Sequence, residues 1–200
     1  MRYICHRINE SSALKDISEE LGAEIDLRDD LNGRIYLEHD PFKGGEDLEE
    51  YLRSYHHGLL ILNIKSERIE WKALELVKKA GVKDYFFLDS TFPMIALLAQ
   101  NGISDIALRF SEYEGIDTIR NMAGKVRWIW ADCFTKCALT AENFAEFKKL
   151  GYNVCIVSPE LQGRPEDIES DAKYLQEQNI IPDAICTKSY NIPIWQKYFG

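Results

Sequence analysis

Basic residues are in deficit: 24 Lys and Arg stand against 33 Asp and Glu, for a net charge of −9. With no cationic excess to displace phosphate counterions, the charge argues against broad binding to nucleic acid or to an anionic membrane surface, but not against a small anion in a locally basic pocket. Cysteines are few and odd in number, five in all: Cys5, Cys133, Cys137, Cys155 and Cys186. A disulfide framework would be denser and even, so reduced thiols are expected. Cys133 and Cys137 stand four apart, but no second pair or nearby His completes a zinc set. Long apolar runs are also missing. The most apolar stretch, "GLLILNI", is far too short to span a bilayer, and "MRYICHRINE" lacks the apolar core of a signal peptide. No membrane insertion and a cytoplasmic location are therefore expected. No linker or break in composition divides residues 1–200, which read as one domain.

What is present is alternation. Short apolar runs at 2–7, 23–28, 59–65, 84–89, 105–110, 126–132, 153–158 and 183–188 read as strands, most of them nearly continuous in Ile, Val, Leu and aromatics. Parallel strands buried on both faces have this character. Between them lie helix-like segments at 11–22, 45–56, 68–81, 92–102, 114–124, 140–151 and 165–179. Several close on glycine (Gly22, Gly81, Gly102, Gly124, Gly151), as helix C-termini prefer. Thr140 with Asn143, and Ser11 or Ser12, are candidate N-caps. Eight strands alternating with helices predict an α/β fold, a small (β/α)₈ TIM barrel. After the second strand, Asn32-Gly33 and "GRIYLEHD" (33–40) predict a short β-hairpin extension.

A barrel of this kind puts its chemistry at the C-terminal ends of the strands. Polar side chains gather there: His6-Arg7, Glu24 to Arg28, Asn63, Lys65, Asp89, Arg109, Trp130 to Asp132, Ser158 and Thr187-Lys188. Glu24 and Asp26, one residue apart, leave the same face of a strand. They read as ligands of a hard divalent cation or as an exposed acidic strand end. His6-Arg7 suits a phosphate, Arg holding the charge while His moves a proton, and equally suits a histidine bonded to a backbone carbonyl. His39 returns from the hairpin toward the same end. Lys65 can meet a phosphoryl oxygen or neutralise Glu24 and Asp26. His56-His57 closes a predicted helix and is expected to face solvent or to interact with the helix dipole. Tyr190, Ile194, Trp195, Tyr198 and Phe199 form an aromatic cluster expected to seal the barrel.

The stretch "CHRINESSALKDISEELGAEIDLRDDLNGRIYLEHDPF" resembles, in order and spacing, the glycerophosphodiester phosphodiesterase family of the phosphatidylinositol-phospholipase-C-like superfamily. That family shows H-R-G, a helix, G-A-D-x-I-E-x-D-V, a hairpin ending H-D, and then E-I-K. "LLILNIK" sits at E-I-K, "VRWIWADCF" is similar to V-W-T-V, and "PDAICTKSYNIP" to the closing D-G-I-I-T-D-x-P. The resemblance implies an eight-stranded barrel that cleaves glycerophosphodiesters to an alcohol and a phosphomonoester with Mg²⁺ or Ca²⁺. It casts His6 and His39 as the acid–base pair, Arg7 and Lys65 as phosphate holders, and Glu24, Asp26 and Asn63 as metal ligands. Arg109 and Trp130 are expected to contact substrate, and a small phosphodiester is the expected partner.

Three departures stand out. Asn63 replaces the Glu of E-I-K and brings no charge to the metal, although Asp89 or Asp132 could compensate. Ile8 replaces the glycine of H-R-G. The usual insertion before the third strand is reduced to one short helix. A barrel that binds a phosphorylated ligand without turnover is the alternative function. A Schiff-base lysine enzyme using Lys65 is the third, and the neighbouring carboxylates speak against it.

Overall fold

The computed structural model describes Met1–Gly200. The strands are β1 (Arg2–Cys5), β2 (Gly22–Asp29), β3 (Ile35–Leu37), β4 (Glu46–Asp47), β5 (Leu60–Ile64), β6 (Tyr85–Leu88), β7 (Ala107–Phe110), β8 (Trp128–Ala131), β9 (Asn153–Val157) and β10 (Ala184–Thr187). The helices are α1 (Ser11–Leu14), α2 (Leu48–Arg53), α3 (Glu70–Lys79), α4 (Phe92–Gln100), α5 (Asp117–Asn121), α6 (Ala141–Lys149), α7 (Ile168–Glu177) and α8 (Ile192–Phe199).

All eight expected strands are present, and their parallel ladders run β6–β5–β2–β1–β10–β9–β8–β7. The two ends of this run, β6 and β7, meet at one parallel bridge, Phe87 to Ile106, rather than along a ladder. One face packs against the helices in a cluster of 44 buried apolar residues. The other carries a separate cluster of 12, all strand residues except Leu59. Apart from the strands' own side chains, Leu161 packs on that second face, and residues of strands far apart in the ladder order meet across it. Phe86 of β6 stacks on Trp128 of β8, ring centroids 4.6 Å apart, although β7 lies between them in sequence. Burial on both faces explains the continuous apolar runs of the sequence.

Gly22 starts β2; it does not close a helix. A Cβ there would meet the Leu59 carbonyl oxygen at 2.3 Å and Ile4 Cδ1 at 2.5 Å, so the second face has no room for one. Gly22→Ala is therefore expected to destabilise by about 3 kcal/mol, as overpacked cores do. An unchanged urea midpoint would refute this close packing.

Several boundaries differ from expectation. The helix expected over 11–22 keeps only four residues, since the chain needs 15–21 as turns to enter β2. Its N-cap is Glu10 without a side-chain bond, and it is Glu46 that accepts from the Ser11 N–H, at 2.7 Å. The segment 45–56 divides into β4 and α2, capped by Asp47. Asp117–Asn121 is all that is helical of 114–124. Thr140 and Asn143 form the expected capping box, and Gly81, Gly102 and Gly151 follow their helices with left-handed φ.

The hairpin after β2 is present, with β3 antiparallel to it. Its turn is longer than the two-residue turn that Asn32-Gly33 suggests: Asp30 pairs with Arg34 through its N–H, and Asp30 Oδ1 accepts from the N–H groups of Asn32 and Arg34. His57 is half-buried rather than solvent-facing, its Nε2 lying 3.1 Å from the Leu14 carbonyl and 3.3 Å from that of Ile17. Trp195, fully buried, belongs to the helix-side core and donates to Ser158 Oγ at 2.8 Å, whereas Tyr190 is exposed. The C-terminal aromatics thus anchor α8 to the outside of the sheet. No helix is long and apolar enough to cross a membrane.

Candidate active site

The site is built where β1, β2 and β5 end. Side chains alternate along β2, so Ile25 and Leu27 enter the helix-side core while Glu24 and Asp26 take the second face, each only 1% exposed. Glu24 Oε2 accepts from the Arg7 N–H at 2.8 Å, and its Oε1 from Asn63 Nδ2 at 2.7 Å. Burial, and next the charge of Asp26, push the Glu24 carboxyl well above the usual carboxylate range. Asp26 is gripped by Asn9 in a reciprocal pair: Asn9 Nδ2 donates to Oδ2, and the Asp26 N–H donates to Asn9 Oδ1, both at 2.9 Å. Arg7 Nε lies 3.5 Å from Asp26 Oδ2, and Lys65 Nζ 3.7 Å from Oδ1. Asp26 and Asn63 are register partners on adjacent strands. The Oδ1 atoms of both are buried with no hydrogen-bond partner.

Arg7 has a left-handed φ of 59°, a conformation that costs a non-glycine residue energy and turns its N–H onto Glu24. Ile8 has no positive φ; its N–H donates to the Glu24 carbonyl and its side chain packs on the outer core. The backbone at Ile8 is therefore in a conformation open to non-glycine residues.

His39 is brought to this end by the hairpin. The Glu38 N–H bonds to the Asp26 carbonyl, and Arg28 donates to the carbonyls of His39 and Lys65, tying hairpin and β5 together. His39 Nδ1 lies 2.9 Å from Asp40 Oδ1, while Lys43 holds the other Asp40 oxygen at 2.7 Å. That pairing makes Nδ1 the protonated nitrogen and leaves Nε2 able to accept a proton.

His6 has the opposite partner. Its Nδ1 lies 3.0 Å from Lys188 Nζ, and its Nε2 3.8 Å from Glu24 Oε2. Burial first, then the positive charges of Lys188 and Arg7, lower its pKa to about 3, so the ring is neutral at physiological pH.

Across the cavity, Arg109 is held by acids on every side: Asp89 at 2.6 Å, Glu114 at 3.3 Å, and the buried Asp132. Gln162 donates to the other Asp132 oxygen at 2.7 Å. Burial raises the Asp132 pKa above the usual carboxylate range. Asp89, itself at a left-handed φ of 59°, also accepts from Lys65 at 3.3 Å. Asp89 and Asp132 both pair with Arg109, and both line the cavity that Asn63 also lines. No three Asp, Glu, His or Cys side chains converge to hold a metal ion.

No family model matches this chain, and no curated protein does. Solved structures do match. The chain superimposes on a glycerophosphoryl diester phosphodiesterase from Parabacteroides distasonis ATCC 8503 with a TM-score of 0.69 and 14% identity, over 100% of this chain and 87% of that one. A glycerophosphodiester phosphodiesterase from Agrobacterium tumefaciens str. C58 gives 0.61 and 15%, over 93% and 96%. The fold of these phosphodiesterases is shared by this chain. A glycerol uptake operon antiterminator-related protein from Thermotoga maritima MSB8 is more distant in shape, at 0.53 and 16%, over 98% of both chains.

Within this glycerophosphodiester-phosphodiesterase-like fold, His6, Arg7, His39, Asn63, Lys65, Arg109 and Trp130 all line one cavity of about 210 Å³, and Glu24 and Asp26 bond directly to residues that line it. Arg109 reaches the cavity paired with Asp89 and Asp132. Three participants have no role in the sequence reading: Asn9, Gln162 and Lys188. Lys188 alone had a signal, as a charged residue at the end of a strand.

Proposed function

We propose that this chain is a metal-assisted phosphodiesterase that cleaves a small glycerophosphodiester-like substrate to an alcohol and a phosphomonoester. The reading takes the eight parallel strands as a single (β/α)₈ barrel over 1–200, thinly closed between β6 and β7. One observation carries it: two imidazoles with opposite charge partners share a cavity with Arg7 and Lys65, beside two buried oxygens, Asp26 Oδ1 and Asn63 Oδ1, that accept no hydrogen bond. Buried polar atoms are rarely left without a hydrogen bond, and Asp26 Oδ1 and Asn63 Oδ1 are oxygens of the kind that hard cations take as ligands. With Glu24 they form an all-oxygen donor set suited to Mg²⁺ or Ca²⁺. Such an ion would supply electrostatic stabilisation of a phosphoryl oxygen.

The chain's own groups divide the remaining work. Arg7 and Lys65 border the cavity beside Asp26 and orient the phosphoryl oxygens. His39, held through Nδ1 by Asp40, takes the proton from the attacking hydroxyl, either the substrate's glycerol or a water. His6 serves the departing alcohol oxygen. Binding without turnover is the second reading. It draws on the absence of a third carboxylate and on the contacts of Arg7 and Lys65 with Asp26, which already offset its charge.

Stripping divalent ions tests the first reading. Hydrolysis of bis-p-nitrophenyl phosphate is expected to vanish in EDTA and to return saturably with added Mg²⁺ or Ca²⁺. Equal rates with and without EDTA would exclude a metal-assisted reaction, and inactivity with every ion would leave the binding reading.

A further inference from the structure

Three cations line the cavity, each matched by acids: Arg7 by Asp26, Lys65 by Asp26 and Asp89, and Arg109 by Asp89, Asp132 and Glu114; a fourth, Lys188, contacts the cavity-lining His6. Lys188 is different. It makes no ion pair, and the only hydrogen bond of its ammonium is to His6 Nδ1, at 3.0 Å. A half-buried ammonium without a carboxylate, in a chain of net charge −9, calls for an explanation. The backbone beneath it is fixed: Glu160 Oε1 accepts from the Lys188 N–H at 3.0 Å and from Thr187 Oγ1 at 2.5 Å. The His6 N–H is tied to the Thr187 carbonyl at 2.9 Å, so imidazole and ammonium are carried on adjacent, mutually bonded strand ends.

From this arrangement we infer that Lys188 fixes the tautomer of His6 and supplies the proton that His6 passes to the leaving alcohol. An ammonium has three donors and no acceptor, so Nδ1 must be the accepting nitrogen and the single ring proton resides on Nε2. In a neutral ring, releasing the Nε2 proton alone would leave an imidazolate. With Lys188 in contact, the P–O bond to the leaving group breaks as its oxygen takes the Nε2 proton. Nδ1 then takes a proton from the ammonium; the ring ends neutral with its proton on Nδ1, and the lysine ends as an amine. Water restores both. The pairing makes His6 a competent acid although the ring carries no positive charge beforehand. This inference rests on the phosphodiesterase reading for its kinetic part, but not for the tautomer.

The test has two arms, on the full chain. The ring ¹⁵N shifts of His6 at pH 7 should show Nε2 protonated and Nδ1 not. In Lys188→Met the proton should redistribute to Nδ1, and Lys188→Arg, which keeps a donor, should preserve the wild-type pattern. In kinetics, Lys188→Met should lower kcat on glycerophosphocholine on the order of 10²-fold, the usual worth of a general acid. Bis-p-nitrophenyl phosphate, whose leaving group needs no proton, should change by no more than about threefold. Lys188→Arg should restore the tautomer but not the alkyl turnover, because a guanidinium does not release its proton. A wild-type ring protonated on Nδ1, an unchanged pattern in Lys188→Met, or equal losses on both substrates would overturn the inference. Wild type inactive on both substrates would overturn the phosphodiesterase reading instead, with the ¹⁵N pattern still deciding the tautomer.

Discussion

Replacing His39 with alanine lowers turnover of glycerophosphocholine by about 10²–10⁴-fold, the range for loss of a positioned acid or base. The fold barely notices. His39 is 40% exposed along its side chain, and its one side-chain bond is to the still more exposed Asp40. What the hairpin needs from this residue is its carbonyl, which accepts from Arg28 and is kept in alanine. Stability should therefore stay within about 0.5 kcal/mol, as for most surface changes. Thermal unfolding beside the rate measurement separates the two effects. A rate loss accompanied by an equally large loss of stability would make His39 a structural residue. His6→Ala should also abolish turnover, but it strips Lys188 of its only partner and is the less clean of the two.

Asn63→Glu should have the second largest effect, and in two opposite directions. Asn63 Nδ2 now donates to Glu24, while its Oδ1 lies buried and unpaired beside Asp26. A glutamate there removes the donor and adds a third carboxylate to two that are already buried. Without metal, the variant should lose about 3 kcal/mol or more, the cost of an uncompensated buried charge. A divalent cation then has a third charged ligand, so its affinity should rise by about tenfold or more, roughly 1.4 kcal/mol. Metal-dependent gain in Tm, measured for both proteins, reads this directly. The same gain in both would show that position 63 does not meet the ion.

Much of this architecture was legible because it is local. Two carboxylates one residue apart on an apolar strand must share a face, so Glu24 and Asp26 were placed together by the period of the strand alone. Asn32-Gly33 announced a reversal that returns His39 to the same end, although Asp30 extends the turn beyond two residues. The first helix was over-read because "SSALKDISEELG" has helical composition, whereas Gly22 is demanded by contact with Leu59 and Ile4, distant in sequence or on another strand. Lys188 shows as a charged strand end, but its partner does not, for the same reason. It lies 182 residues from His6, and only the pairing of β1 with β10 brings them together. Its charge is also reversed relative to the closing T-D of the family motif, so resemblance pointed away from it. Arg109 was read as a substrate contact from its place at a strand end. It lines the cavity, and three carboxylates from separate segments pair with it, which no local pattern reveals.

The central claim is that this cavity turns a phosphodiester into a phosphomonoester. Following glycerophosphocholine by ³¹P NMR, with Mg²⁺ or Ca²⁺ present, tests it most directly. The diester resonance should decay while one phosphomonoester resonance grows in equal amount, and neither change should occur with His39→Ala. A diester signal that wild type leaves untouched, or that decays equally fast with His39→Ala, would contradict the account.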